Sequence, residues 1–128
     1  MVTEITQGIR VSVITEYQSG YSVPNQGHYV FTYRITIENN SEHTIQLLRR
    51  HWYIHDATYE KREVEGEGVV GLQPILEPGE AHQYVSGCNL RSGMGKMFGY
   101  YLMERIVDGK KFRVTIPEFT MIAPFMLQ

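Results

Sequence analysis

Residues 66–71 read Gly66-Glu67-Gly68-Val69-Val70-Gly71, a GxGxxG spacing. Glycines at that spacing bring backbone N–H groups up to a dinucleotide pyrophosphate when a strand precedes them and a helix opens from them. The chain continues instead through Gln73-Pro74 and then Pro78-Gly79. A proline inside a helix removes an N–H and collides with the turn before it, so no helix is expected to run through Pro74. Glu63, Glu65 and Glu67 set three carboxylates beside the glycines against Lys61 and Arg62, and carboxylates repel phosphate. The segment therefore reads as a glycine-rich loop whose glycines supply positive φ. Its functional alternative is a nest of backbone N–H groups that holds an anion.

The other chemistry-bearing side chains are Arg50, His51, His55, Asp56, His82 and Cys88. His51 and His55 are four apart in a segment that reads as strand, about 13 Å at roughly 3.3 Å per residue. Zinc holds histidine nitrogens at about 2 Å, so the pair cannot share an ion unaided. Arg50, His51 and Asp56 form no recognised triad order, and no serine sits at a nucleophile elbow. Cys88 has no cation near it in sequence to hold a thiolate. It reads as a small buried hydrophobe. Trp52 reads as core, as do Tyr29, Tyr33, Tyr84, Tyr100 and Tyr101.

The elements that must position these groups are strands. Residues 9–17 alternate, with Ile9, Val11 and Val13 on one face and Ile14 an exception. Residues 28–38 hold the cleanest pattern, with Tyr29, Phe31, Tyr33, Ile35 and Ile37 pointing one way. Residues 44–56 switch parity near Arg49-Arg50, as a β-bulge requires. Residues 58–64 are polar and read as an edge strand. Residues 81–88 form a fifth strand. Residues 94–107, apolar on both faces, form a central sixth. Asp108-Gly109 signals a two-residue type I′ hairpin into a seventh strand at 110–117. The apolar residues 120–127 either fold back on the domain or cover a second subunit. Seven strands with turns between them and no helical period predict an all-β, antiparallel two-sheet sandwich of immunoglobulin or fibronectin type III kind.

The 128 residues suit one domain spanning 1–128, large enough to bury a core without disulfide or metal. A net charge of −2 with no concentrated basic stretch argues against nucleic acid as a partner. The single cysteine allows no internal disulfide and favours a reducing compartment. No signal-peptide pattern opens the chain, and no apolar run approaches the roughly 20 residues of a membrane helix. A cytoplasmic protein without a membrane partner is expected.

Taken together and in order, Gln46-Leu47-Leu48, Arg50-His51-Trp52, Gly68-Val69-Val70-Gly71 with Gln73-Pro74, Pro78-Gly79-Glu80 and Tyr84-Val85-Ser86-Gly87-Cys88 closely resemble the ApaG domain. The resemblance runs from about Thr6 to Pro124. It implies a fibronectin-III-like sandwich in a small bacterial protein, associated with cobalt tolerance and magnesium efflux. In eukaryotic proteins the same domain is taken to bind protein partners. The resemblance carries over no catalytic residue. It extends a suggested nucleotide or pyrophosphate site to Gly66, Gly68 and Gly71. The stretch Asn89-Leu90-Arg91-Ser92-Gly93-Met94 departs from the prolines common there in the family, which implies a more mobile loop.

The reading is thus a non-enzymatic binding module that needs no cofactor or metal. It would engage a protein by β-augmentation or form a homodimer. The candidate residues are Gly66, Gly68 and Gly71 with Arg50 and His51, joined by the loop at 89–96. The alternative is a nucleotide or pyrophosphate binder acting through residues 66–71, with or without weak hydrolysis.

Overall fold

Alternation with a period of two governs the architecture. In the computed structural model, which describes residues 1–127, strand β2 (Ile9–Tyr17) buries Ile9, Val11 and Val13. Strand β3 (Tyr29–Asn39) buries Phe31, Tyr33, Ile35 and Ile37. Both sets face a second sheet built on β4 (Ile45–Asp56), which turns Trp52 and Ile54 inward, and β8 (Met94–Arg105), which turns in Met97, Tyr101 and Met103. The remaining strands are β1 (Val2–Thr6), β5 (Lys61–Glu67), β6 (Ile75–Leu76), β7 (Ala81–Leu90) and β9 (Lys110–Ile122).

One sheet has the order β1-β2-β3-β7 and the other β5-β4-β8-β9, with β6 paired to the start of β4. Every pairing is antiparallel. On one side of the sandwich β9 packs against β1 and β2, and the Thr115 N–H donates to Thr6 Oγ1 at 3.2 Å. On the other side β5 and β7 are both free edges.

The two-sheet, antiparallel all-β architecture agrees with the sequence reading, and the differences have local causes. The described residues hold nine strands rather than seven. The added β1 folds onto β2 through Gln7 and Gly8, both at positive φ (48° and 81°), as a tight hairpin demands. The expected bulge in the third strand is present, as a register shift between Leu47 and Arg49. The seventh strand does not stop at Pro117. A second register shift falls opposite the step from Met97 to Gly99. There the missing proline N–H breaks no ladder bond, and β9 continues to Ile122. The β8–β9 turn is four residues long, 106–109. Only Gly109 has positive φ (70°), and its N–H donates to the Arg105 carbonyl; this corrects the two-residue type I′ expectation. Phe125, within the expected apolar extension, folds back and packs edge-on against Tyr17 with centroids 6.0 Å apart.

Among the described residues no helix is long and apolar enough to cross a membrane.

Candidate functional site

The sequence candidates converge only in part. The bulge in β4 places Arg50 opposite Gly66 in the ladder and turns its side chain towards the space between the sheets. Its guanidinium donates from one terminal nitrogen to the carbonyls of Glu67 (2.9 Å) and Gly68 (3.0 Å). A Cβ on Gly66 would stand 3.1 Å from that nitrogen, so glycine leaves the room in which the guanidinium lies. Gly68 has φ +62°, and a Cβ there would collide with the Leu72 carbonyl oxygen. Gly71 also has positive φ (77°) but faces open space.

The loop is therefore a brace more than a cradle. The Gly68 N–H donates to the Leu48 carbonyl at 2.8 Å, and Val69 and Leu72 exchange N–H···O bonds of 2.8 and 3.0 Å. The turn presents carbonyl oxygen to Arg50. Gly66 and Glu67 are the last residues of β5, so the irregular segment begins at Gly68.

His51 stands apart from this arrangement. It lies on the outer face of its sheet, stacked on Tyr53 (centroids 4.7 Å apart) and Tyr100 (5.1 Å). Tyr53 in turn stacks on Phe98 at 5.2 Å, and the Arg113 guanidinium lies 4.2 Å from the Tyr100 ring centre. Glu63 and Glu65 face the two imidazole nitrogens at 3.2 and 3.1 Å. The sequence reading misses this aromatic strip. Its signal is the alternation itself, which sends 51, 53, 98 and 100 to one face.

Asp56 joins neither group. Its carboxylate accepts from the Arg91 N–H and the Ser92 hydroxyl, both at 2.6 Å, and from the Thr58 N–H. Burial works against ionisation of Asp56, but those hydrogen bonds together hold its carboxyl below the ordinary value. The loop expected at 89–96 is also shorter than that reading. Residues 89–90 end β7, residues 94–96 begin β8, and the turn between them is tied to Asp56. His55 packs edge-on against Phe98, and His82 lies on the opposite sheet, paired with Ile37. Among the described residues no three His, Cys, Asp or Glu side chains gather as metal ligands.

Between the free edges β5 and β7 the sheets part over a cleft of about 220 Å³. Trp52, Ile54 and Met97 lie within it, with Arg50, Arg62, Ser86 and Cys88 around them. Arg62 crosses from β5 and donates to the Asn89 carbonyl at 2.6 Å, with the Cys88 sulfur 3.8 Å away. Burial raises the Cys88 thiol pKa, and Arg62 pulls it the other way. A cation thus does approach this thiol, brought from 26 residues away by the sheet rather than by sequence. Burial likewise raises the Tyr33 phenol, against the Ser86 hydroxyl and the Arg50 charge. Deeper in, the hydroxyls of Tyr84 and Tyr101 share a hydrogen bond of 2.5 Å.

Comparison with known proteins agrees with this fold. A family model described as the ApaG domain matches residues 19–105. "Protein ApaG" of Brucella abortus (strain S19) is 45% identical over 124 residues, covering 97% of this chain and 95% of the relative. "Protein ApaG" of Paramagnetospirillum magneticum is 44% identical over the same shares. The crystal structure of a putative ApaA protein from Bordetella pertussis superposes with a TM-score of 0.88 at 42% identity, covering 91% of this chain and 94% of that one. The chain belongs to the ApaG domain family.

Proposed function

We propose that this domain is a non-catalytic binding module that takes up an extended segment of a partner protein along β7. One observation carries the reading. Strand β7, Ala81-His82-Gln83-Tyr84-Val85-Ser86-Gly87-Cys88-Asn89-Leu90, is a ten-residue free edge with no Asp, Glu, Lys, Arg or Pro. Edge strands are ordinarily blunted by charge, proline or a bulge, because their unpaired N–H and C=O groups template pairing with another chain. The other edge on this side, β5, is blunted, with Lys61, Arg62, Glu63, Glu65 and Glu67 in seven residues. The Asn89 carbonyl already points to the free side, where Arg62 meets it. By the alternation of an antiparallel ladder, the N–H and C=O groups of Gln83, Val85 and Gly87 face the same way. Val85 is 52% exposed and stands where a side chain of an added strand would pack. Strand addition draws affinity from these main-chain bonds and specificity from alternate side chains.

The module is cytoplasmic in this reading, and the link of its family to cobalt tolerance and magnesium efflux runs through the partner rather than through a resident ion. A second copy added along β7 would give the homodimer. The nucleotide or pyrophosphate alternative draws less support, because the Gly68 and Val69 N–H groups are engaged within the turn and Glu63, Glu65 and Glu67 lie beside it.

Photo-crosslinking tests the proposal. A photoreactive residue at Val85, with one at Ile14 as control, is crosslinked in the native cell, and the captured segment is identified and remade as a peptide. Val85→Lys, which places a charge on the edge, is expected to weaken that peptide at least tenfold while Glu4→Lys leaves it unchanged, on the scale of about 1.4 kcal/mol per tenfold. Equal binding by Val85→Lys removes β7 as the docking edge.

A further inference from the structure

The cleft between β5 and β7 has a charge imbalance. Arg50 and Arg62 both line it, and no aspartate or glutamate does. Among the described residues neither guanidinium is in ion-pair reach of a carboxylate. Each uses one terminal nitrogen, Arg50 on the carbonyls of Glu67 and Gly68, Arg62 on the Asn89 carbonyl and the Cys88 sulfur. A guanidinium carries five N–H donors in a planar fork that matches a carboxylate, so donors remain on both. The wider hollow beyond Arg62 differs. Its Arg91 pairs with Glu60 at 2.9 Å, and its Asp56 is occupied by the turn at 91–93. In the cleft, by contrast, no lining carboxylate offsets the two guanidiniums, in a chain whose net charge is −2.

The lining also bounds the ligand. Val64, cross-strand from the buried Trp52 and 40% exposed, supplies apolar surface that a hydrated inorganic ion cannot use. The volume of about 220 Å³ falls short of the roughly 300–1,000 Å³ typical of sites for drug-sized ligands, which favours a small ligand.

We infer that the inter-sheet cleft binds a small organic acid, with its carboxylate on the Arg50 and Arg62 guanidiniums and its apolar body against Val64, above Trp52. The cleft borders the β7 edge but does not rest on strand addition there, and its test uses the isolated chain with no partner present, so the two proposals fail separately.

Trp52 is the chain's only tryptophan, so its emission reports on the cleft directly. The full-length protein is titrated with cyclohexanecarboxylate at constant ionic strength, with cyclohexanecarboxamide as the uncharged isostere and inorganic pyrophosphate as the anion without an apolar body. The acid is expected to shift Trp52 emission saturably in the millimolar range and to move the backbone amide resonances of 86–89. The carboxamide and pyrophosphate should each bind at least about tenfold more weakly, the difference a charge-assisted hydrogen bond makes. Arg62→Gln should weaken the acid by a similar factor. Arg50→Gln should do so too, but Arg50 also braces the glycine turn; if that variant fails to fold, the exposed Arg62 position decides. A flat titration to about 50 mM acid, an equal response to the carboxamide, or an unchanged midpoint in Arg62→Gln overturns the inference.

Discussion

Arg50 and His51 are consecutive on β4 and leave it on opposite faces. The Arg50 guanidinium lies at the glycine turn, donating to Glu67 and Gly68, whereas the His51 ring stacks at 4.7 Å on Tyr53 outside the sheet. Substitutions at the two positions should therefore have separable effects. Arg50→Gln removes charge-assisted bonds to two carbonyls and is expected to cost about 1–2 kcal/mol. It should also speed amide exchange at Gly68 and Val69. His51→Ala should leave that exchange at the wild-type rate. Matching exchange in the two variants would mean that Arg50 does not hold the turn.

Gly68 and Gly71 share the left-handed conformation but not the space around it. Alanine at Gly71 carries only the backbone penalty of about 1–2 kcal/mol, because its Cβ would enter solvent. Alanine at Gly68 adds a collision with the Leu72 carbonyl and should be clearly the worse of the two in urea midpoint. Indistinguishable midpoints would show that the turn at 68–72 relaxes freely.

These two glycines also show what the sequence can and cannot reveal. Alternation in β2, β3 and β8 makes the core faces legible, because period two ties side-chain direction to position number alone. The parity switch near Arg49-Arg50 likewise announces the bulge. The GxGxxG spelling identifies a turn and, through the neighbouring prolines and glutamates, excludes a helix. It cannot say that the partner of Gly66 and Gly68 is the Arg50 side chain, since register across β4 and β5 is a tertiary fact. Adjacency alone groups His51 with Arg50, and a strand sends neighbours apart. Arg62, central to the cleft, reads in the sequence only as a counter-charge to the glutamates. Its approach to Cys88 and Asn89 depends on two edges from different sheets meeting.

Tyr101 is fully buried, and its hydroxyl meets that of Tyr84. Burial pushes both phenols above the ordinary range, so the pair is neutral at physiological pH and acts as a hydrogen bond. Tyr84→Phe leaves the Tyr101 hydroxyl without this partner inside the core, at an expected cost of about 1–3 kcal/mol. Removing both hydroxyls should cost less than the sum of the single changes, since no orphaned group remains. The coupling energy from a double-mutant cycle is the readout. Additivity within about 0.3–0.5 kcal/mol would deny the pair an energetic role.

Asp56 links β4 to the β7–β8 turn through the Arg91 N–H and the Ser92 hydroxyl, and this link makes a pH signature. Its carboxyl sits below the ordinary value in the folded chain, while the unfolded chain titrates near about 3.9. Above that value the group is ionised in both states and its stabilisation is complete. As pH falls, the unfolded state takes up its proton first, and the stabilisation drains away until the folded carboxyl also protonates. Asp56→Asn keeps the shape but not the titration. The gap in urea midpoint between wild type and Asp56→Asn should hold steady above about pH 5 and narrow progressively below it. The other carboxylates, Asp108 among them, titrate in both proteins and cancel in the difference. A gap that stays constant down to about pH 2.5 would mean that the Asp56 carboxylate contributes no charge-dependent stability to the turn.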